Sequence, residues 1–206
     1  DQRYISTDTI FITMFDWIKN INKEYPEFWK HYISKFEKRT SRFVVISTET
    51  TGLNPTKDVI LSIGAVAVEN NSIIVHDYFE VVLLQYKFLH DNGISNEFII
   101  ESNLPKLNES EALQKFIEYI DNAILVGHRI HFDVEMINEA LYKMGCSRLK
   151  NEALDIEIMY RKLHDITDKQ FSVDELCKIF KVNKSDRHSS SEDAYTIALL
   201  FLKLKS

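Results

Sequence analysis

The stretch that most constrains this chain lies at residues 43–53, where an apolar run ends abruptly in a polar turn. The run Phe43 to Ile46 is followed by polar residues that include Glu49, and Gly52 closes the turn. An unbroken apolar run of this length is typical of a strand that is buried on both faces, as in parallel sheets. The sequence therefore predicts a buried strand, Arg42 to Ser47, whose end delivers the Glu49 carboxylate to the edge of a sheet.

Position 47 matters because of its relation to this acid. A metal site built on the strand would place a second carboxylate two residues before Glu49, since residues i and i+2 point to the same side of a strand. The residue found there is Ser47. If the strand carries a metal site, a neutral hydroxyl therefore occupies one of its expected anionic positions.

The composition fits one globular α/β domain with an appendage. Of the 206 residues, 45% are hydrophobic and 27% are charged, and the formal net charge is −6. This acidity argues against coating long nucleic acids through a basic face, although acids can still bind phosphates through metal ions. No apolar run approaches the roughly 18 residues of a membrane helix. Because Cys146 and Cys177 lack metal-ligand spacing, we expect two reduced, buried thiols in a cytoplasmic protein without a membrane partner.

Hydrophobic periodicity predicts a mixed central sheet flanked by helices. Three strands with short connections form an antiparallel meander: Arg42–Ser47, Asp58–Glu69 and Ser72–Leu84. A short apolar strand, expected to run parallel to the first, covers Ala123–Val126. Helical patterns cover Ser95–Ser102, Glu109–Ile120, Phe132–Met144, Ser172–Lys181 and Ser190–Leu204. Residues Ala153–Leu163 fit a strand or a helix equally well.

The chain divides near residue 40. Residues 14–39 carry aromatic and aliphatic side chains at helical spacing, which predicts an N-terminal helical extension at residues 1–40 ahead of a domain at residues 41–206. Two interpretations remain open for the aromatic side chains. They would dock onto the domain, or residues 14–40 would contact a polymerase or another protein partner.

Three acids and one histidine lie at the boundaries of predicted elements: Glu49, Asp133, His188 and Asp193. Taken singly, each has a structural explanation. Helix dipoles favour acids such as Asp133 and Asp193 in first turns, and Glu49 and His188 suit a solvated surface. His188 precedes Asp193 by five residues, so the two cannot share one face of a continuous helix. His188 is therefore expected on the preceding loop, where a histidine beside acids suits a general base.

Taken in order, these motifs resemble the DEDDh class of DnaQ-like 3′–5′ exonucleases, which have a ribonuclease H-like fold. The family pattern is an Asp-x-Glu strand followed by Thr-Gly, then a Gly-His-Asn-x-x-Phe-Asp-type motif, then His-x4-Asp. This chain has Ser47 to Gly52, Gly127 to Asp133, and His188 to Asp193. The resemblance extends over residues 42–204 and is nearest to the proofreading epsilon subunits of bacterial DNA polymerase III.

The resemblance implies a hydrolysis that releases nucleoside 5′-monophosphates from 3′ ends. In such enzymes carboxylates hold two divalent ions, Mg²⁺ or Mn²⁺, about 3.5–4 Å apart. Carried over position by position, the metal ligands are Glu49, Asp133 and Asp193, with Ser47 at the position of the bridging acid. His188 would deprotonate the attacking water. The implied substrate-binding residues surround the terminal nucleotide: Thr50, Thr51, Gly52, Leu53 and Phe132.

Departures from the family pattern leave alternatives open. Ser47 predicts an inactive or weakened enzyme, and Arg129 and Asn92 replace the asparagine and histidine that such sequences commonly carry. The favoured substrate is single-stranded DNA or a frayed DNA 3′ end. The alternatives are a catalytically inactive protein that binds nucleic-acid 3′ ends, and an RNA-directed exonuclease of the same superfamily. The otherwise intact site favours a deliberate inactivating substitution at Ser47 over natural loss.

Overall fold

The computed structural model describes residues 24–85, 104–184 and 189–205, and this part of the chain folds around one six-stranded mixed sheet. The strands are β1 (Phe43–Thr50), β2 (Ile60–Glu69), β3 (Ser72–Leu84), β4 (Lys106–Asn108), β5 (Ile124–Gly127) and β6 (Ala153–Asp155). The helices are α1 (Glu27–Ser34), α2 (Glu109–Ile120), α3 (Ile130–Lys143), α4 (Ile156–Leu163), α5 (Val173–Phe180) and α6 (Ser190–Lys205). A 3₁₀ turn, Lys35–Glu37, follows α1.

The strand order is β4-β3-β2-β1-β5-β6, which confirms the predicted combination of a meander with parallel strands. Strands β1, β2 and β3 pair antiparallel, β5 pairs parallel with β1 and β6 with β5, and β4 pairs parallel with β3. The β2–β3 connection is tight because Asn70 and Asn71 adopt φ values of 49° and 58°, the left-handed conformation that two-residue hairpins require.

The first strand is longer than its apolar run predicts. We expected it to end at Ser47, but it continues to Thr50 because its polar half still pairs with β2, with Thr48 opposite Ile63 and Glu49 opposite Ser62. The register shifts between Glu49 and Thr50. Glu49 therefore lies on the strand itself and not beyond its end.

The ambiguous segment Ala153–Leu163 contains both structures that its pattern allowed. Ala153–Asp155 pairs with β5, and Asp155 then caps α4 by accepting hydrogen bonds from the backbone N–H groups of Glu157 and Ile158. Helix α3 begins at Ile130, two residues before the predicted start, and ends before Gly145, whose φ of 78° suits a helix stop.

Two buried clusters lie on opposite faces of β1, whose successive side chains alternate between them. Val44 and Ile46 belong to the cluster beneath α2 and α3, whereas Val45 belongs to the cluster beneath α6. Helix α1 packs on the first cluster through Trp29, which is fully buried, and Tyr32. The Tyr32 hydroxyl also donates a 2.6 Å hydrogen bond to Asn151 Oδ1. The aromatic residues of α1 therefore dock onto the domain, as one of the two interpretations expected.

Several predictions lie outside the described residues: the helical pattern before residue 24, the helix Ser95–Ser102, Asn92 and His188. Both cysteines are free and buried, as expected. Among the described helices, none combines the length and the apolar character needed to cross a membrane.

Candidate active site

The polar half of β1 opens onto a cavity of about 290 Å³. Side-chain alternation places Ser47 and Glu49 on the α6 side of the strand, with Val45. The cavity brings together the start of α3, the start of α6 and the loop that follows α5. Its lining residues are Ser47, Thr48, Leu53, His128, Arg129, Phe132, Asp133, Val173, Lys184, Asp193 and Ile197.

Asp133 reaches the cavity from the first turn of α3 and is buried. Its Oδ1 atom accepts two hydrogen bonds from Thr48, one from the backbone N–H at 3.1 Å and one from the hydroxyl at 2.5 Å. Burial raises the pKa of Asp133 from 3.8 to about 7, and the hydrogen bonds from Thr48 act in the opposite direction. The carboxylate is thus rigidly held, and its ionised form is disfavoured.

Asp193 reaches the same cavity from the first turn of α6, on the other side of the sheet. The start of this helix lies directly on β2 at Gly64, the residue opposite Ser47 in the β1–β2 pairing. A Cβ atom added to Gly64 would approach the Ser190 carbonyl carbon to 2.0 Å. The Ser190 hydroxyl is also hydrogen-bonded to that of Ser62 on the same strand. A glycine is therefore required here, and its absent side chain fixes where α6 begins.

The surroundings of Asp193 are more open than those of Asp133. Its side chain is 40% exposed, and the Lys184 Nζ atom lies 3.9 Å from Asp193 Oδ1. The same ammonium group lies 3.3 Å from Asp174 Oδ1. One wall of the cavity therefore carries a buried acid, and the other carries an acid already paired with a cation.

The predicted substrate-binding residues separate into two groups. Leu53, which is 86% exposed, and Phe132 line the cavity. Thr50 and Thr51 instead brace the turn after β1, since the Thr50 hydroxyl donates to the Gly52 carbonyl at 2.7 Å and the Thr51 hydroxyl to Asp58 Oδ1 at 3.0 Å. A Cβ atom on Gly52 would lie 2.7 Å from the Asp58 carboxylate, so the close approach that this glycine allows is to Asp58.

The structure thus brings Ser47, Asp133 and Asp193 to one cavity and places Glu49 on the same face of β1 as Ser47. The position of His188 lies outside the described residues, so its role stays a prediction. Within the described ranges, no three His, Cys, Asp or Glu side chains are grouped closely enough to hold a metal ion.

Sequence reasoning gave no site role to several residues of the cavity, among them Thr48, Lys184 and His128. Thr48 is the partner of Asp133, and Lys184 faces Asp193. His128 donates a 2.7 Å hydrogen bond from Nε2 to the Phe171 carbonyl oxygen. This bond connects the segment before α3 to the segment before α5. Only Thr48 carried a signal, since a threonine between two motif positions on a strand must point away from both. Lys184 has no pattern that distinguishes it from the other lysines.

Known proteins resemble the chain across this region. The sequence profile of the RNase_T exonuclease family matches residues 44–201. A PolC-type DNA polymerase III from Caldanaerobacter subterraneus is 32% identical over 167 residues, which cover 79% of this chain and 11% of that protein. A DNA polymerase III subunit epsilon from Buchnera aphidicola (subspecies Baizongia pistaciae) is 30% identical over 184 residues, covering 82% of this chain and 73% of that protein. The chain spans about a tenth of the PolC-type relatives.

A solved structure shares the fold. Exonuclease I of E. coli in complex with a dT13 oligonucleotide superposes with a TM-score of 0.66 at 16% identity, covering 81% of this chain and 41% of that one. This likeness confirms the ribonuclease H-like exonuclease fold. The family profile and the relatives confirm the family that the three motifs indicated. The chain therefore belongs to the RNase_T exonuclease family of DnaQ-like 3′–5′ exonucleases.

Proposed function

We propose that this domain is built as a two-metal 3′–5′ exonuclease for single-stranded or frayed DNA 3′ ends, and that Ser47 weakens or abolishes its activity. The supporting observation is the single cavity in which Ser47, Asp133 and Asp193 meet from one strand and two helices. The three positions are separated widely in sequence, and the folded chain brings them together at the end of β1.

The donor set fits Mg²⁺ or Mn²⁺ in type but lacks one charge. The ligands would be the carboxylates of Glu49, Asp133 and Asp193, which are hard oxygen donors, and the Ser47 hydroxyl would replace the bridging anion. When bound, two such ions would supply the charge that activates water and stabilises the leaving oxygen. Leu53 and Phe132 would hold the terminal base, and His188 would accept the proton of the attacking water. The product would be a nucleoside 5′-monophosphate.

Restoring the missing acid tests this proposal. We expect Ser47→Asp to increase Mn²⁺- or Mg²⁺-dependent release of mononucleotides from a 5′-labelled single-stranded oligonucleotide by at least ~10–100-fold, because even changes outside the ligand shell have effects of that size. Ser47→Asn is the matched control, since the asparagine side chain has nearly the same shape as aspartate but carries no charge. A Ser47→Asp variant that releases no mononucleotide from any single-stranded substrate would refute the proposed nuclease.

The role of His188 is tested in the Ser47→Asp background. His188→Ala should lower turnover and leave oligonucleotide binding mostly intact, because a general base acts on the water and does not hold the strand. A comparable loss of binding would instead identify His188 as a substrate contact.

Two parts of the prediction depend on further measurement. Discrimination between DNA and RNA depends on whether the pocket accommodates the 2′-hydroxyl group. The rates at which Ser47→Asp degrades matched DNA and RNA oligonucleotides should therefore be compared. Faster degradation of RNA would favour the RNA-directed alternative. A polymerase partner for residues 14–40 is suggested by the names of the relatives, although Trp29 and Tyr32 already face the core of this domain. The cytoplasmic location likewise stays a prediction.

A further inference from the structure

The active-site cavity contains cations of its own. Lys184 and Arg129 both line it, together with the two carboxylates of Asp133 and Asp193. Ser47 supplies no charge where the family pattern has a third acid. The lining side chains therefore carry two negative and two positive formal charges, and Glu49 adds a further acid on the same face of β1. Two side chains of this cavity can therefore attract a phosphate group directly.

Lys184 is placed to exchange one anion for another. Its ammonium group lies between Asp174 Oδ1 at 3.3 Å and Asp193 Oδ1 at 3.9 Å, and its side chain is 37% exposed. Both distances are longer than the 2.7–2.9 Å of a strong charge-assisted hydrogen bond. A phosphate oxygen that enters the cavity can therefore replace one of these two long contacts. The ammonium group of Lys184 need not move away from the carboxylates to bind it.

Arg129 adopts a backbone conformation that its residue type disfavours. Its φ is 54°, in the left-handed region where asparagine is favoured and arginine is uncommon. The side chain is exposed, and its Nη2 atom donates a long hydrogen bond of 3.4 Å to Gln170 Oε1. No carboxylate pairs with this guanidinium among residues 24–85, 104–184 and 189–205. This guanidinium thus reaches the cavity wall without a carboxylate partner among the described residues, and a guanidinium is suited to bind phosphate in a bidentate manner.

We propose that Lys184 and Arg129 bind the phosphate of a 3′-terminal nucleotide directly, so that this cavity holds a strand end without a divalent metal ion. This inference rests on the proposed function for the identity of the ligand. The size of the cavity, about 290 Å³, is at the lower end for small-molecule sites and suits one nucleotide. Leu53 and Phe132 provide the apolar walls for its base.

The test measures binding of deoxythymidine monophosphate and of a 5′-fluorescent oligothymidine to the native chain in EDTA, with thymidine as the ligand that lacks phosphate. We expect the affinity for the nucleotide in EDTA to remain within about threefold of that in Mg²⁺. Lys184→Gln should weaken binding of the monophosphate at least about tenfold, which is the lower end for loss of a charged hydrogen bond. Arg129→Gln should weaken it about threefold to tenfold, because the guanidinium is exposed to solvent. Neither substitution should change the weak binding of thymidine.

Two exposed residues outside the cavity provide matched controls. Lys178→Gln, on α5, and Arg148→Gln, whose guanidinium pairs with Glu135, should bind the monophosphate like the native chain. Binding that disappears in EDTA, or that persists unchanged in Lys184→Gln, overturns the inference. Equal losses in Lys178→Gln and Lys184→Gln also overturn it, because they would indicate a general charge effect.

The two proposals fail separately. If Ser47→Asp cleaves DNA but the native chain binds nucleotides only with Mg²⁺, the nuclease proposal stands and direct phosphate binding is refuted. The opposite outcome is that Ser47→Asp is inactive, while the native chain binds nucleotides in EDTA and this binding depends on Lys184. The nuclease proposal then fails and a 3′-end binding protein remains.

Discussion

Asp133 and Asp193 are the same residue type in the same local setting, yet the fold treats them differently. Each lies in the first turn of a helix and lines the same cavity. Asp133 is buried against Thr48, whereas Asp193 is 40% exposed beside Lys184. A position at a helix N-terminus favours an acid in both cases. The difference shows that the tertiary surroundings, and not the local sequence, determine how far each acid is buried and which side chain it contacts.

The largest expected effect concerns how the Asp193 side of the cavity is built. Gly64→Ala should lower the free energy of unfolding by about 3 kcal/mol, because its Cβ would overlap the backbone of Ser190 and displace α6. Gly145→Ala is the control. Nothing lies within 4 Å of a Cβ added there, and only the φ of 78° is unfavourable, so a loss of about 1 kcal/mol is expected. Urea denaturation measures both, and equal losses would show that the contact between β2 and α6 is not rigid.

The next effect tests whether the two acids share one chemical role. In the Ser47→Asp background, Asp133→Asn and Asp193→Asn should each reduce exonuclease turnover by at least about 100-fold, because each removes a proposed charged metal ligand. The measurement is initial release of mononucleotides at saturating Mn²⁺. If Asp193→Asn retained most of the activity, Asp193 would act as the partner of Lys184 and not as a ligand.

Replacing each of the two acids by asparagine should have clearly different effects on the free energy of unfolding. Asp133→Asn in the native chain should raise the free energy of unfolding at pH 8 by roughly 1–2 kcal/mol, because it removes a buried charge whose pKa is about 7. The folded pKa lies above the ordinary 3.8, so the folded state binds the proton more tightly. Native stability should therefore rise as pH falls from about 7 towards 4, and this rise should be smaller in Asp133→Asn.

Asp193→Asn provides the comparison for this experiment. Its side chain is partly exposed, so we expect a change within about 0.5 kcal/mol at pH 8. Denaturation midpoints measured between pH 4 and 8 decide the matter. Equal changes in the two variants would mean that burial does not distinguish the acids.

The smallest effect concerns the cation on the Asp133 side of the cavity. Arg129→Asn should stabilise the chain by about 0.5–1 kcal/mol, since asparagine tolerates the left-handed backbone better, and it should also weaken phosphate binding. Lys181→Asn is matched to it, because Lys181 has a φ of 53° at the end of α5 and does not line the cavity. A similar gain in stability without loss of phosphate binding is expected there, as measured by thermal denaturation and nucleotide titration.

Much of the fold follows from local patterns because those patterns have local physical causes. The Asn70-Asn71 turn, the Asn108 cap of α2 and the stop at Gly145 depend on backbone conformations that few residues adopt. The capping box of Ser172 and Glu175 was likewise predictable and is present in full. Such features need no distant partner, which is why a single sequence predicts them.

Boundaries set by distant pairing were predicted less well. The extension of β1 to Thr50 depends on β2, and the split of residues 153–163 depends on the pairing of Ala153–Asp155 with β5. In the candidate site, the polar pattern after Ile46 and the spacing of three motifs predicted Ser47, Asp133 and Asp193, which line one cavity. The same reasoning expected Thr51 and Gly52 near a nucleotide, whereas their described contacts are with Asp58.

By itself, the sequence determined the order of the main strands and helices, the family to which the chain belongs and the neutral residue at position 47. Those properties depend on residue type and spacing along the chain. Only the tertiary structure decided that Thr48 holds Asp133, that Gly64 seats the start of α6, and that Lys184 and Arg129 enter the cavity. Each of these joins elements that are distant in sequence, and the charge and burial of a side chain's neighbours exist only after the chain has folded.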